Sequence, residues 1–134
     1  MPTIAAIEGI GHRNATRLRK ARIRTTEALL KRGGTRKGRK EVAASTGLTE
    51  KQILEWVNRA DLMRVKGIGE EYSDLLEHAG VDTVKELKNR KAANLHAKMV
   101  EINQKRRLVR RLPTESMVES WVDNAKKLKA MVTH

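Results

Sequence analysis

Ile7-Glu-Gly-Ile-Gly-His-Arg-Asn-Ala15 places two glycines around one apolar residue and follows them with His12 and Arg13. Glycine adopts backbone angles that side chains forbid, so Gly9 and Gly11 predict a sharp reversal with Ile10 plugging a core. A helix that starts directly behind such a turn has its first amides unpaired. Those amides, with the positive end of the helix dipole and a basic residue beside them, make a cradle for a phosphate. The chemistry predicted for Gly9, Ile10, Gly11, His12 and Arg13 is therefore anion binding led by the backbone. Protonation of His12 in mildly acidic solution would strengthen it.

Further cations continue the track. Arg13, Arg17, Lys20 and Arg24 share one face at helical spacing, whereas Arg19 and Arg22 turn away. Lys31, Arg32, Arg36, Lys37, Arg39 and Lys40 extend the set, and Arg32-Gly-Gly-Thr-Arg-Lys-Gly38 reads as a mobile, glycine-rich basic loop. Residues 12–40 hold 12 Lys or Arg and a single acid, Glu27. The whole chain of 134 residues carries 29 Lys+Arg against 16 Asp+Glu, a net +13 that attracts polyanions. That charge is concentrated early: 15 basic and 6 acidic side chains in residues 1–64, against 14 and 10 in residues 65–134. With Tyr72, Trp56 and Trp121 as the aromatic residues and no Phe, a stacking platform for single-stranded bases is poorly supplied. Both tryptophans sit on apolar helical stripes that predict core positions. Duplex backbone binding is the better match, with RNA left open.

The elements that position these residues come twice. Val65-Lys-Gly-Ile-Gly-Glu-Glu-Tyr-Ser73 repeats the first loop 58 positions later, and Leu18, Ala21, Ile23, Thr25 and Leu29 recur as Leu76, Ala79, Val81, Thr83 and Leu87. At an offset of 65, Ile53, Trp56, Val57 and Ala60 recur as Val118, Trp121, Val122 and Ala125. Behind the second glycine pair, however, Glu70 and Glu71 replace His12 and Arg13. Acids in a first helical turn satisfy its free amides and dipole, by about 0.3 to 1 kcal/mol each, and repel phosphate. The second loop is therefore expected to be architectural, or to dock its acids (Glu70, Glu71, Asp74, Glu77) on a basic face of another copy.

Apolar residues recur at three and four throughout, and no alternating strand pattern occurs. Thr83 with Glu86, and Thr49 with Gln52, read as capping boxes. Gly47 and Gly80 stand where left-handed C-terminal caps belong, but the Gly80 position of the first repeat is Arg22, which predicts a strained or different cap. Residues 39–58 also have a helix-turn-helix look, in which Lys51, Gln52, Glu55 and Arg59 would face a major groove. Lys105-Arg-Arg-Leu-Val-Arg-Arg111 reads as a helix end or turn with a buried Leu108–Val109 seam. A long final helix, from about Thr114 to Met131, is expected to pack across both repeats.

The pattern apolar-x-Gly-apolar-Gly-x-x-x-small-x-x-Leu, filled at 7–18 and at 65–76, resembles the helix-hairpin-helix motif, here present twice over about 20 residues each. Through RADLMRVKGIGEEYSDLLEHAGVDTVKEL at 59–87 and the later Trp-bearing helix, the chain also resembles an uncharacterised bacterial family of tandem helix-hairpin-helix domains, a domain of unknown function. The resemblance implies hairpin amides that bind DNA phosphates without reading sequence. It carries over to Gly9, Ile10, Gly11, His12 and Arg13, and poorly to the second hairpin.

Catalysis has little support. His12, His78, His96 and His134 lack metal spacing, no nucleophile pattern is present, and no cofactor or metal is expected. The absence of cysteine suits a reducing cytoplasm. No signal peptide and no membrane span are expected. The expectation is an all-α protein: two tandem helix-hairpin-helix repeats, residues 1–64 and 65–134, sharing one core, with a long C-terminal helix. It would be a non-enzymatic, cytoplasmic binder of double-stranded DNA, using Gly9 to Arg13, Arg17, Lys20, Arg24, Lys31, Arg36, Lys37 and Arg39. The competing expectation is a protein-interaction adaptor that does not touch nucleic acid.

Overall fold

A computed structural model of the chain describes residues 2–134. It is helical throughout: a 3-10 turn at Ile4–Ala6, then α1 (Gly11–Lys20), α2 (Thr26–Gly33), α3 (Arg36–Thr46), α4 (Glu50–Leu62), α5 (Glu70–His78), α6 (Val84–Leu87), α7 (Ala92–Arg106) and α8 (Glu115–Lys126). Among the described residues there is no strand, only one antiparallel bridge between Thr3 and Thr25. No helix among them is long and apolar enough to cross a membrane.

The contacts divide the chain into two compact units, Met1–Asp61 with Met131–His134, and Leu62–Ala130. In the first unit α1 packs on the 3-10 turn and on α3, and α2 packs on α3. Ile4, Leu18, Ile23, Leu29, Val42, Ile53 and Val57 are fully buried there. In the second, α7 packs on α5 and α8, and α6 on α8, around Leu75, Leu76, Leu87, Met99, Val118 and Trp121. Each such aliphatic side chain contributes about 1.5 to 3 kcal/mol by leaving water.

Threonine starts most of these helices. The hydroxyls of Thr25, Thr35, Thr83 and Thr114 accept from the amides of Ala28, Gly38, Glu86 and Met117 at 3.0 to 3.2 Å. Thr49 and Gln52 close a reciprocal box, each backbone amide donating to the other's side chain at 3.1 Å. The expected box at Thr83 is half made, because the Glu86 carboxylate instead accepts from Arg90 at 2.9 and 3.2 Å.

The ends of α1 and α5 share one geometry. Ile23 N–H donates to the Leu18 carbonyl and Arg22 N–H to that of Arg19, at 2.9 Å each. Val81 to Leu76 and Gly80 to Glu77 repeat the pattern at 2.9 and 3.0 Å. This is the Schellman motif, whose penultimate residue must be left-handed. Gly80 complies at φ 92°, and Arg22 is forced to φ 66°. Because α1 ends at Lys20, Arg24 does not continue the stripe of Arg13, Arg17 and Lys20 as the spacing alone predicted.

Two other expectations are corrected. The glycine-rich run is not a mobile loop: α2 continues through Gly33, Thr35 caps α3, and only Gly34 and Thr35 lie between them. Its glycines serve close approach instead. A Cβ on Gly33 would stand 2.7 Å from the Val57 methyl, and one on Gly34 would collide with the carbonyl oxygens of Met131 and Leu30. The final helix ends at Lys126 rather than Met131 and packs on α6 and α7 of its own unit. What returns to the first unit is the tail, where Thr133 N–H donates to the Gly34 carbonyl at 2.9 Å.

The left-handed cap at Arg22 has a measurable consequence. Arg22→Gly is expected to be more stable than Arg22→Ala by roughly 1 kcal/mol, since both lose the charge and only alanine keeps the Cβ clash. Urea unfolding of the two variants checks this.

Candidate nucleic-acid interface

The first glycine loop is left-handed at both glycines, Gly9 at φ 82° and Gly11 at φ 75°. Ile10 between them is 3% exposed and plugs the core as expected. Its amide is not available, because it donates to the Ile7 carbonyl at 3.3 Å. Ile10 therefore holds the loop down and offers no donor. The amides of Gly9, Gly11, His12 and Arg13 have no hydrogen-bond partner among the described residues. All four residues are exposed. No side chain caps α1, and its first turn contains no acid. A Cβ on Gly9 or on Gly11 would find nothing within 4 Å, so the space above the loop is open.

The second loop differs in backbone as well as in charge. Gly67 is left-handed at φ 93°, but Gly69 is extended at φ −109°, ψ −158°, a conformation open to any residue. The two loops thus share a sequence frame without sharing one geometry. Gly67 lies against the Trp121 indole, whose Nε1 is 3.0 Å from where its Cβ would sit. Tyr72 packs on the same ring at a centroid distance of 5.2 Å, tilted by 49°. Glu70 and Glu71 stand exposed in the first turn of α5. The acidic patch is narrower than the spacing suggested. Asp74 is buried, with His78 Nδ1 3.6 Å from its carboxylate, and Glu77 is half-buried.

The basic residues fall into separate groups. Arg13, Arg17 and Lys20 are exposed along α1. The Arg17 guanidinium lies beside Gly47, the left-handed C-cap of α3, 3.9 Å from its Cβ position. Arg36 and Lys37, also exposed, sit at the other end of α3, about 16 Å away for 11 helical residues. They occupy a first turn without acids, where cations oppose the helix dipole. Lys31 is exposed and pairs with Glu27 at 3.8 Å. Arg24 is exposed on the connection between α1 and α2.

Arg39 leaves the interface altogether. It is 4% exposed, and its Nη1 donates to the carbonyls of Gly33 at 2.9 Å and Gly34 at 3.0 Å, while Nη2 donates to Thr133 at 2.6 Å. Burial lowers its pKa from the ordinary guanidinium value, the Arg36 charge adds to that, and Glu50 opposes it. It still carries its charge at neutral pH. Sequence spacing missed this role because Thr133 lies 94 positions away.

The helix-turn-helix expectation also loses its reading surface. α3, the Gly47 turn and α4 are present, but Arg59 is 6% exposed and paired with Glu55 at 3.9 Å. Gln52 is engaged by the Thr49 cap, which leaves Lys51 and Glu55, of opposite charge, on the outer face.

Residues 8–128 match the family described as Domain of unknown function (DUF4332). The chain belongs to this family. The match begins at the first glycine loop and runs through α8, so it covers most of both units and leaves out the 3-10 turn and the tail that returns to the first unit. No solved structure matches the chain.

Two substitutions separate structure from surface. Arg39→Gln is expected to cost roughly 2 to 4 kcal/mol, because buried carbonyls lose a charged donor, while Lys37→Gln leaves stability within about 0.5 kcal/mol. Gly67→Ala is expected to destabilise more than Gly9→Ala, since it adds contact with the Trp121 ring to the same backbone strain. Thermal melting of the four variants tests both comparisons.

Proposed function

We infer that this protein binds the phosphate backbone of nucleic acid, double-stranded DNA in particular, with little sequence preference and no chemistry of its own. One observation carries the reading: four unbonded amides, at Gly9, Gly11, His12 and Arg13, open onto free space at an uncapped, acid-free helix start. Arg13, Arg17 and Lys20 run down the helix behind them. A phosphate would meet the amides and the dipole end together, and the guanidinium groups would add charge-assisted bonds.

The reading treats the two loops as tandem helix-hairpin-helix motifs of which the first makes contact. What supports the pairing is the burial of equivalent positions, Ile10 and Ile68, Ala15 and Ser73, Leu18 and Leu76, all under 5% exposed. Trp56 and Trp121 are buried, so neither is placed to stack on a base. Sequence-independent contact with a duplex fits these surfaces best.

Affinity for a short duplex should fall with salt. About five phosphate contacts imply a drop of roughly 10² to 10³-fold between about 50 and 200 mM. Weak, salt-insensitive association would instead mark an adaptor. Arg13→Glu gives opposite signs for binding and folding. It supplies the acid that the first turn of α1 lacks, so stability should hold or rise by about 0.3 to 1 kcal/mol, whereas affinity should fall at least tenfold. Unchanged affinity in fluorescence anisotropy would sink the assignment.

A further inference from the structure

The second unit carries a strongly basic segment of its own, formed by the last turn of α7 and the loop that leads to α8. Lys105, Arg106, Arg107, Arg110 and Arg111 are all exposed within seven positions. Lys105 pairs with Glu101 at 3.6 Å. The guanidinium groups of the four arginines have no ion pair or hydrogen bond among the described residues.

The backbone beneath them is held at three points by side chains. Asn103 grips Val109 twice, its Oδ1 accepting from the Val109 amide at 3.0 Å and its Nδ2 donating to the Val109 carbonyl at 3.2 Å. The Tyr72 hydroxyl donates to the Arg111 carbonyl at 2.9 Å. His96 Nε2 meets the Pro113 carbonyl at 2.9 Å, which requires that nitrogen to carry the proton. Val109 is buried at 5% exposure and anchors the centre. The loop is therefore rigid while its charged ends remain outside, the arrangement that loses least entropy on binding.

Arg107 adds a second argument. It is the C-cap of α7 at φ 50°, a left-handed site that glycine or asparagine would fill more easily. The α7 dipole favours Arg106 and Arg107 at its C-terminal end, but none of the four arginines has an acidic partner among the described residues to offset their mutual repulsion. An external polyanion would supply that counter-charge, and guanidinium groups grip phosphate oxygens in pairs.

We propose that the loop Arg106–Arg111 is a second phosphate-binding surface, through which the second unit contacts a nucleic-acid backbone by guanidinium groups rather than by loop amides. It rests on the reading of the protein as a nucleic-acid binder and names a contact that reading does not contain. It also accounts for how a unit whose own glycine loop bears Glu70 and Glu71 takes part in binding.

Duplex DNA binding by the full chain tests it, measured by anisotropy over a salt series. Arg110→Glu with Arg111→Glu is expected to lower affinity at least tenfold and to flatten the log–log salt slope by about 1 to 2, at an unchanged melting temperature. Arg110→Lys with Arg111→Lys should keep most of the slope. Arg107→Gly relieves the left-handed strain, so it should melt higher and bind more weakly, a combination that a purely structural arginine would not produce. Wild-type affinity and slope in the double Glu variant, alongside a loss in Arg13→Glu with Lys20→Glu, would overturn this proposal alone. The reverse pattern would overturn the first-loop reading and leave the arginine loop standing. A wild-type protein that does not bind duplex would remove both. Should the double Glu variant melt early, the Arg107→Gly affinity decides.

Discussion

A helix start must find partners for its first amides, and the way each helix of this chain does so organises everything else. Thr25, Thr35, Thr49, Thr83 and Thr114 cap α2, α3, α4, α6 and α8. Glu70 and Glu71 serve the start of α5 electrostatically. The starts of α1 and α7 have neither a side-chain cap nor a first-turn acid. At α1 this gap coincides with a doubly left-handed loop, free space and cations along the same helix. An unmet donor in water is solvated rather than strained, so the gap is tolerable without ligand. Amides left unpaired at a helix start are the kind of donors that suit an anion.

Similar sequence frames diverge here by small physical steps. Gly11 and Gly69 occupy equivalent positions, yet one is left-handed and the other extended. Trp121 lies against Gly67, while among the described residues nothing lies within 4 Å of the Cβ positions of the first pair. Arg22 and Gly80 close the same six-residue cap, one with strain and one without. The repeat that keeps an open loop also keeps a cation in a glycine position. The repeat with the relaxed cap carries acids at its helix start. The sequence frame occurs twice, and charge and packing make the two loops different surfaces.

The first unit is closed from afar. Gly33 and Gly34 let α2 approach α4 and the tail, and Arg39 ties the carbonyls of Gly33, Gly34 and Thr133 with one guanidinium. A buried cation surrounded by carbonyl oxygens is stabilising only while all of them stay in place. That makes this basic residue a fastener, although its neighbours Arg36 and Lys37 remain outside.

What sequence alone determined was whatever depends on neighbours three to six positions apart. Helical periodicity, the threonine caps, the left-handed glycines at 47 and 80, the exceptional cap at Arg22 and the Ile10 plug are all of that kind, because one turn of helix sets their geometry. Only the tertiary structure decided which charges are accessible. Arg39 and Thr133 meet across 94 positions, Tyr72 and Arg111 across 39, and His96 and Pro113 across 17. A run such as Arg-Gly-Gly-Thr-Arg-Lys-Gly reads as flexible or as tightly packed depending on what lies over it. Burial of an arginine, and the covering of a glycine by an indole, are properties of distant segments brought together, and no local spacing encodes them.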